Sequence, residues 1–390
     1  MIKVKENKKD DKSAAKLSIF IILAFVIVIV AARYMTDEEY RSFINVNVLK
    51  KEVSEMNLTT IEINSDDNPS IFAYDKYIAV LTKNKLTEYG TNGKADAVLD
   101  VNISVPLVET NGKYMVIAEK EGQKIYLISG SNIIWSNTID GNISRVNVNK
   151  NGYVSIIITN TLYKSVIVYY DLSGRETFRT YLSDSYAVCT SISTNNKYLA
   201  IGEVNYTGTI IKSYVKIVSV DLAQSKSKAD EAIIYTYESE NGEIITNINY
   251  QDKENAICMF SSYIQSVKTD SNERIYDITD NDLFLDINLK SGIALIEKQS
   301  SGLFSFEYEV VTKNIGSKAE GLYILNSDLP KSMSISENNI ALNLGNEVRI
   351  LNSSGWLLKK YTSSRQIKSL VIGDSIAGVV YKNRIEVISL

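Results

Sequence analysis

Residues 189–203 read CTSISTNNKYLAIGE, an apolar-polar alternation followed by Asn195, Asn196 and Lys197 and then by a second apolar run. Period-two alternation marks a half-buried strand, and asparagine tolerates the left-handed backbone of a tight turn, so the stretch predicts a β-hairpin. Seven further stretches repeat the form. They are IFAYDKYIAVL with its turn at Asp75, VPLVETNGKYMVIAE at Asn111, RVNVNKNGYVSIII at Asn151 and TNINYQDKENAICMF near Lys253. The series ends with FLDINLKSGIALIE at Ser291, SMSISENNIALNL at Asn338 and SLVIGDSIAGVV at Asp374. Successive turns lie 36 to 58 residues apart, and a mean period of about 40 to 45 residues is that of a four-stranded propeller blade. The expected fold class is all-β: a β-propeller over residues 58–390 with eight blades. A seven-bladed ring with one unit absorbed as an insertion, and a set of stacked β-sandwiches, are the alternatives.

Most units supply a third and a fourth strand, as in KIYLISG followed by NIIWSNTID, or VIVYYDLSG followed by ETFRTYLS. The last unit stops after RIEVISL at Leu390 with three strands, while LTTIEIN at residues 58–64 precedes the first hairpin without a partner. Pairing the spare strand with the gap closes the ring and removes the open sheet edges that invite aggregation. With 35 Asn against 19 Gly and three Pro (Pro69, Pro106 and Pro330), asparagine is the expected main turn former. Asn-Gly pairs begin at Asn92, Asn111, Asn151 and Asn241.

Ahead of the repeats, residues 17–32 read LSIFIILAFVIVIVAA, with Ser18 the single polar residue. As a helix this run covers about 24 Å of a bilayer core about 30 Å thick; Lys16 and Arg33 can snorkel, and flanking Ala14, Ala15, Tyr34 and Met35 complete the span. The apolar run is longer than a signal h-region of about 7 to 15 residues, so an uncleaved anchor is expected, with a cleaved signal ending near Ala32 as the alternative. Residues 1–16 carry a net charge of +3 and the rest of the chain −7, which places the N-terminus in the cytoplasm and the remainder outside it. The expected organisation is a basic tail (1–16), a transmembrane helix (17–35), a juxtamembrane stalk (36–57) and an extracytoplasmic propeller (58–390). In the stalk, Thr36 and Glu39 have the spacing of a capping box, and Tyr40, Phe43 and Ile44 could mark one face of a short helix. A dimerising helix is the alternative reading of that segment.

Three turns between third and fourth strands share a form: GTNG at residues 90–93, DLSG at 171–174 and NSSG at 352–355, the last followed by Trp356. With IIWSN around Trp135, this resembles the quinoprotein-type repeat, in which a strand ends in Asp-x-x-x-Gly and the next carries Trp. That superfamily includes quinone-dependent alcohol dehydrogenases and the eight-bladed propeller of outer-membrane assembly. With two Trp in the chain, most of the superfamily's docking pattern is absent. The overall layout also resembles an uncharacterised family of membrane-anchored β-propellers of Gram-positive bacteria, a likeness that implies no activity.

Composition excludes several chemistries. The chain has no His, which removes Ser-His-Asp and Cys-His nucleophiles, His-containing zinc sites and facial-triad iron. Its net charge of −4 argues against nucleic-acid binding through a basic surface. Cys189 and Cys258 sit in apolar alternations and are expected to be buried free thiols. Asp277, Asp280, Asp282 and Asp286 form the densest acidic cluster, but a calcium loop fails because Leu285 stands where glycine is needed; they are read as solvated turn carboxylates. GDSIAG at 373–378 is one residue too long for a nucleophile elbow and is read as a hairpin turn. Ser-x-x-Lys spacings at Ser13, Ser213 and Ser225 lack companion motifs. No catalytic, cofactor-binding or metal-ligating residue is assigned, no cofactor is expected, and the protein is read as a non-enzyme.

Recognition is expected on loops that a rigid ring presents. Polar insertions lengthen the fourth unit at residues 205–213 and 223–231 and the sixth at about 298–320; Lys226, Lys228, Asp230 and Glu231 are the candidate interaction loop. The leading expectation is a non-catalytic scaffold at the cell envelope, held by one helix and binding a protein partner. Stacking of cell-wall glycan on an aromatic, carboxylate-lined face is the alternative, and the superfamily resemblance adds a quinone-dependent oxidoreductase as a third.

Overall fold

The computed structural model describes residues 10–37, 40–41, 44–49, 58–226, 229–240, 242–290, 292–300, 305–317 and 319–390. Among them the strands form eight four-stranded antiparallel sheets, each sheet a blade packed against the next. Blades 1 to 7 span residues 70–100, 106–138, 142–182, 186–238, 245–277, 282–326 and 332–362. Blade 8 combines Ser369–Ile372, Ile376–Val380 and Arg384–Ser389 with Thr59–Glu62 from the start of the ring. The first strand of each blade lines a central channel and the fourth lies at the rim.

Ring closure follows the spare-strand reading. Thr59 pairs with Val387 and Glu62 with Arg384 in an antiparallel ladder, and the Ile63 amide extends it to the Asn383 carbonyl at 2.9 Å. The pairing completes an eighth blade, so neither the seven-bladed ring nor stacked sandwiches describe the chain.

Apolar packing is divided among eight seams, one between each pair of neighbouring blades. Val116, Leu127, Val154 and Ile156 join blades 2 and 3, while Ile61, Ile78, Ile376 and Ile385 join blades 8 and 1. A second strand has a neighbouring blade against each face, so both of its faces are dry. Every residue of Tyr77–Leu81 and of Ile376–Val380 is buried for that reason, and these runs read as continuously apolar rather than alternating. Cys189 and Cys258 are free, buried thiols in the seam of blades 4 and 5, where burial pushes the Cys189 thiol up to about 12.

In the Asn-Gly pairs the glycine takes the left-handed backbone, as at Gly93, Gly112, Gly152 and Gly242. Asparagine works chiefly through its side chain: Asn149 Oδ1 accepts from the amides of Asn151 (3.0 Å) and Tyr153 (3.1 Å). Other amide groups lace one blade's first turn to the next blade. Asn151 Nδ2 donates to the Thr194 carbonyl at 2.8 Å, Gln251 Nε2 to the Leu289 carbonyl at 3.1 Å, and Asn339 Nδ2 to the Asp374 carbonyl at 3.2 Å. The three turns of like form share one role, docking on the rim strand of the preceding blade. Gly93 abuts Thr59 and Gly355 abuts Leu322, while a Cβ on Gly174 would stand 2.6 Å from Trp135 Cγ. Asn137 Nδ2 also donates to the Gly174 carbonyl at 3.0 Å.

Several expectations are corrected. The insertion at 298–320 is largely regular, because Gly292–Ser300 and Phe306–Asn314 pair as one long hairpin. Asp282 and Asp286 are not solvated turn groups; they belong to the first strand of blade 6, Asp282–Asp286, and Asp282 accepts from the Tyr276 hydroxyl at 2.9 Å. The N-terminal helix is Asp10–Thr36, and its segment Ile19–Thr36 has a mean hydropathy of 2.5, enough to cross a membrane by length and composition. Thr36 does not cap a following turn: its hydroxyl donates to the Ala32 carbonyl at 2.9 Å, and Asp37 Oδ1 accepts from the Tyr40 amide at 2.9 Å instead. Glu39 and Phe43 lie outside the described residues. The segment Ile44–Val48 lies against the rim strand of blade 7, Leu357–Thr362, and Asn45 Oδ1 accepts from the Tyr34 hydroxyl at 2.9 Å.

Two stability predictions follow from the seams. Deleting residues 58–64 should lower the melting temperature by about 10 °C or more, since it removes buried Ile61 and bares the third strand of blade 8; scanning fluorimetry reads the change. Gly174→Ala combines a positive φ of 77° with the Trp135 contact and should cost about 1–3 kcal/mol in urea denaturation.

Glu88 generates a third. It is fully buried beside the Tyr74 hydroxyl, which donates to it, and burial raises its carboxyl from 4.5 to about 7. The fold thus prefers the protonated form, so stability is greatest below the unfolded value and falls as pH climbs from about 4.5 to 7. Melting temperature should decline across that window, and Glu88→Gln should flatten part of the decline.

Candidate functional site: central channel and rim patch

The first strands converge on a channel of about 340 Å³. Antiparallel meanders put the first-to-second and third-to-fourth strand turns on one side of the ring, here the turn face; the remaining connections form the loop face. Asp75, Gly112, Lys150, Lys290, Glu337 and Asp374 come from first turns and ring the channel mouth, which therefore opens on the turn face. Deeper in, Glu109, Arg145, Asn147, Thr190 and Asn247 supply polar walls.

Glu109 is open to the channel yet surrounded by protein. That enclosure pushes its carboxyl up to about 7, with Arg145 drawing it down and Asp286 pushing it up. Burial also raises Asp286, although the Asn288 amide donates to it at 2.7 Å, and raises Asp374, although the Ser336 hydroxyl donates to it at 2.8 Å. Arg145 makes no ion pair among the described residues, and Asn147 Oδ1 is buried without a hydrogen-bond partner. This set of charges and amides can hold a small polar ligand. Neither tryptophan lines the channel: Trp135 is on the rim strand of blade 2 and Trp356 in a turn of blade 7.

A second feature lies on the loop face of blades 3 to 5. The connection 160–164 puts Leu162 entirely in solvent and sets Tyr163 at a tilt of 43° against Tyr181, with ring centroids 4.7 Å apart. Tyr186 and Tyr206 stack at 5.2 Å, and the Lys164 ammonium sits over both rings at 5.4 and 5.3 Å. Next to them the blade 4 connection exposes Ile210 and Ile211, and the Ile211 carbonyl accepts from the Gly242 amide of the blade 4–5 connection, where Ile244 is also exposed. Half-exposed aromatic and aliphatic side chains gathered this way are a usual mark of an interaction surface.

The sequence-derived loop is placed differently. Residues 220–225 form a short helix and Ala229–Ala232 a 3-10 turn on the turn face of blade 4. Lys226 and Glu231 are exposed, Lys228 lies outside the described residues, and Asp230 belongs to the 3-10 turn. The segment is not free of the core, because Val220, Ala223 and Ala232 are buried in the seam of blades 3 and 4. Lys226 and Glu231 are gathered neither with the channel nor with the tyrosine patch. Residues 205–213, the other insertion of the fourth unit, supply Tyr206, Ile210 and Ile211 to the patch; the exposed Ile-Ile pair was the available signal. Glu109 and Arg145 carry no signal in sequence, since each occupies one position of an ordinary alternating strand.

Eight four-stranded blades around a polar channel define an eight-bladed β-propeller. The chain belongs to a family of unknown function, DUF5711, whose model matches residues 50–390. No curated protein sequence matches it. Among solved structures, it is similar to Sqt1 of Chaetomium thermophilum bound to the N-terminus of ribosomal protein L10, at 11% identity and a TM-score of 0.53, over 86% of this chain and 100% of that one. BamB of Moraxella catarrhalis matches at 11% identity and a TM-score of 0.48, over 87% and 99%. At such identities the likeness concerns the fold alone.

The channel electrostatics can be checked directly. Isotope-edited NMR should find Glu109 titrating near 7; Arg145→Met should raise that midpoint further and Asp286→Asn should lower it, because each removes a charge that acts on the carboxyl.

Proposed function

We propose that the protein is a single-pass scaffold of the cell envelope, with its N-terminus in the cytoplasm and its propeller outside, which binds a protein partner through the loop face of blades 3 to 5. The observation that carries the reading is the patch of Leu162, Tyr163, Tyr181, Tyr206, Ile210 and Ile211 on a rigid ring. Tyrosine anchors with aliphatic neighbours are the composition of protein interfaces. Glycan stacking would use the tyrosines but would gain little from exposed Leu162, Ile210 and Ile211, so the protein reading is preferred. The apolar helix and its lysine-rich flank support the anchor and its direction. The reading assigns no catalytic role, since a rigid ring with an apolar patch needs none to bind.

A photo-crosslinking residue at Leu162 in intact membranes should capture a discrete protein, and Tyr206→Ser with Ile210→Ser should reduce that capture about tenfold or more, as loss of interface anchors does. Capture of wall polymer instead, or capture unchanged by the substitutions, would overturn the protein reading. Alkaline phosphatase fused after Leu390 should be active, and an inactive fusion there would reverse the orientation.

A further inference from the structure

The chain enters the ring on its turn face. Thr59 opens the rim strand of blade 8 next to the Gly93 turn, and the preceding segment Ile44–Val48 lies on blade 7 while bonded to Tyr34 of the apolar helix. The rim of blade 7 is thereby held close to the end of the apolar helix.

First turns on this face carry exposed lysines in six blades: Lys76, Lys113, Lys150, Lys197, Lys253 and Lys290. Charge is not evenly spread around them. Asp75 accompanies Lys76, Asp252 and Glu254 flank Lys253, Lys290 approaches Glu337 at 3.9 Å, and blade 8 offers Asp374. The turns of blades 2, 3 and 4 hold Lys113, Lys150 and Lys197 with no acidic residue, and none of the three makes an ion pair among the described residues. On the outer connections of the same face, exposed Lys226 of blade 4 is accompanied by exposed Asp221 and Glu231, and Arg175 of blade 3 pairs with Asp171 at 3.0 Å, so the uncompensated cations of these blades, among the described residues, are those of the three first turns. In an eight-membered ring blade 3 stands opposite blade 7. Lys113, Lys150 and Lys197 therefore lie on the side of the channel mouth opposite blade 7, where the anchor segment packs.

We propose that the turn face rests on the membrane surface, tethered by the anchor at blade 7 and held on the opposite side of the channel mouth by Lys113, Lys150 and Lys197 in contact with the phosphates of anionic phospholipid. This rests on the anchored reading given above. The net charge of −7 beyond the basic tail turns the more acidic remainder of the propeller away from an anionic surface and so favours this one orientation. It also directs the tyrosine patch outward, away from the lipid, and turns the channel mouth toward it.

The test uses the full chain reconstituted in nanodiscs of phosphatidylcholine alone or with phosphatidylglycerol, with acetylation of each lysine followed by mass spectrometry. Lys113, Lys150 and Lys197 should react about fivefold more slowly in the anionic discs, and high salt should abolish the difference. Lys164 and Lys382 on the loop face should react alike in both. In the variant K113Q/K150Q/K197Q, Lys226 should lose any protection while the chain stays in the discs. Equal rates at the three lysines in both lipids, or protection of Lys164 and Lys382 instead, would overturn the proposal. A chain that does not enter discs at all would overturn the anchored reading itself, an outcome distinct from equal labelling in loaded discs.

Discussion

Everything in the ring depends on the ladder between Thr59–Glu62 and Arg384–Val387. A circle of sheets has no intrinsic stop, and without this pairing the last blade would end in an open third strand while the first blade lost a neighbour. The ladder links the two ends of the propeller sequence, so it also ties the segment that follows the apolar helix to the last blade. Ile61 shows how this is secured: it sits in the ladder and is buried in the seam with Ile78, Ile376 and Ile385.

Once the ring is closed, each blade is stabilised from both sides, and stability is spread over eight comparable seams rather than one core. Among the described residues, buried carboxylates bonded to tyrosine occur in two of them, Glu88 with Tyr74 in the seam of blades 1 and 2, and Glu386 with Tyr361 and Tyr381 in that of blades 7 and 8, while buried Glu203 of blade 4 pairs with Lys216 and Ser185 instead. At Glu88 hydrogen bonding by tyrosine offsets desolvation only in part, as its raised carboxyl shows. Amide side chains then lace the first turns together, so that the turn face behaves as one rigid rim. Rigidity matters to function here because lysines and carboxylates on separate blades keep fixed positions relative to one another.

The two faces differ in what they present: on the turn face lie the channel mouth, the entry of the N-terminal segment and the arc of lysines on blades 2 to 4, and on the loop face lie the tyrosine pairs and the exposed isoleucines. The closed ring provides that separation by alternating its connections between the two sides, and the scaffold role proposed above would need no moving part to use it.

Repeat number, strand type, turn chemistry, the apolar span and the spare first strand were legible in the sequence, because each depends on local periodicity or on the count of strands per unit. Asn-rich turns, buried thiols and ring closure follow from patterns a few residues long. Which side chains meet across blades was not legible. Residues 223–231 look like a free polar loop, yet Ala223 and Ala232 enter a seam. Residues 205–213 look like a polar insertion, yet they stack Tyr206 on Tyr186 and expose Ile210 and Ile211. Asp286 and Glu109, far apart in the chain, influence one another only because closing the ring brings blades 2 and 6 to face each other across one channel. The sequence by itself determined the architecture, since strand periodicity is written residue by residue. Tertiary structure alone decided the surfaces, because a neighbour on the ring is set by how eight blades close and by no spacing along the chain.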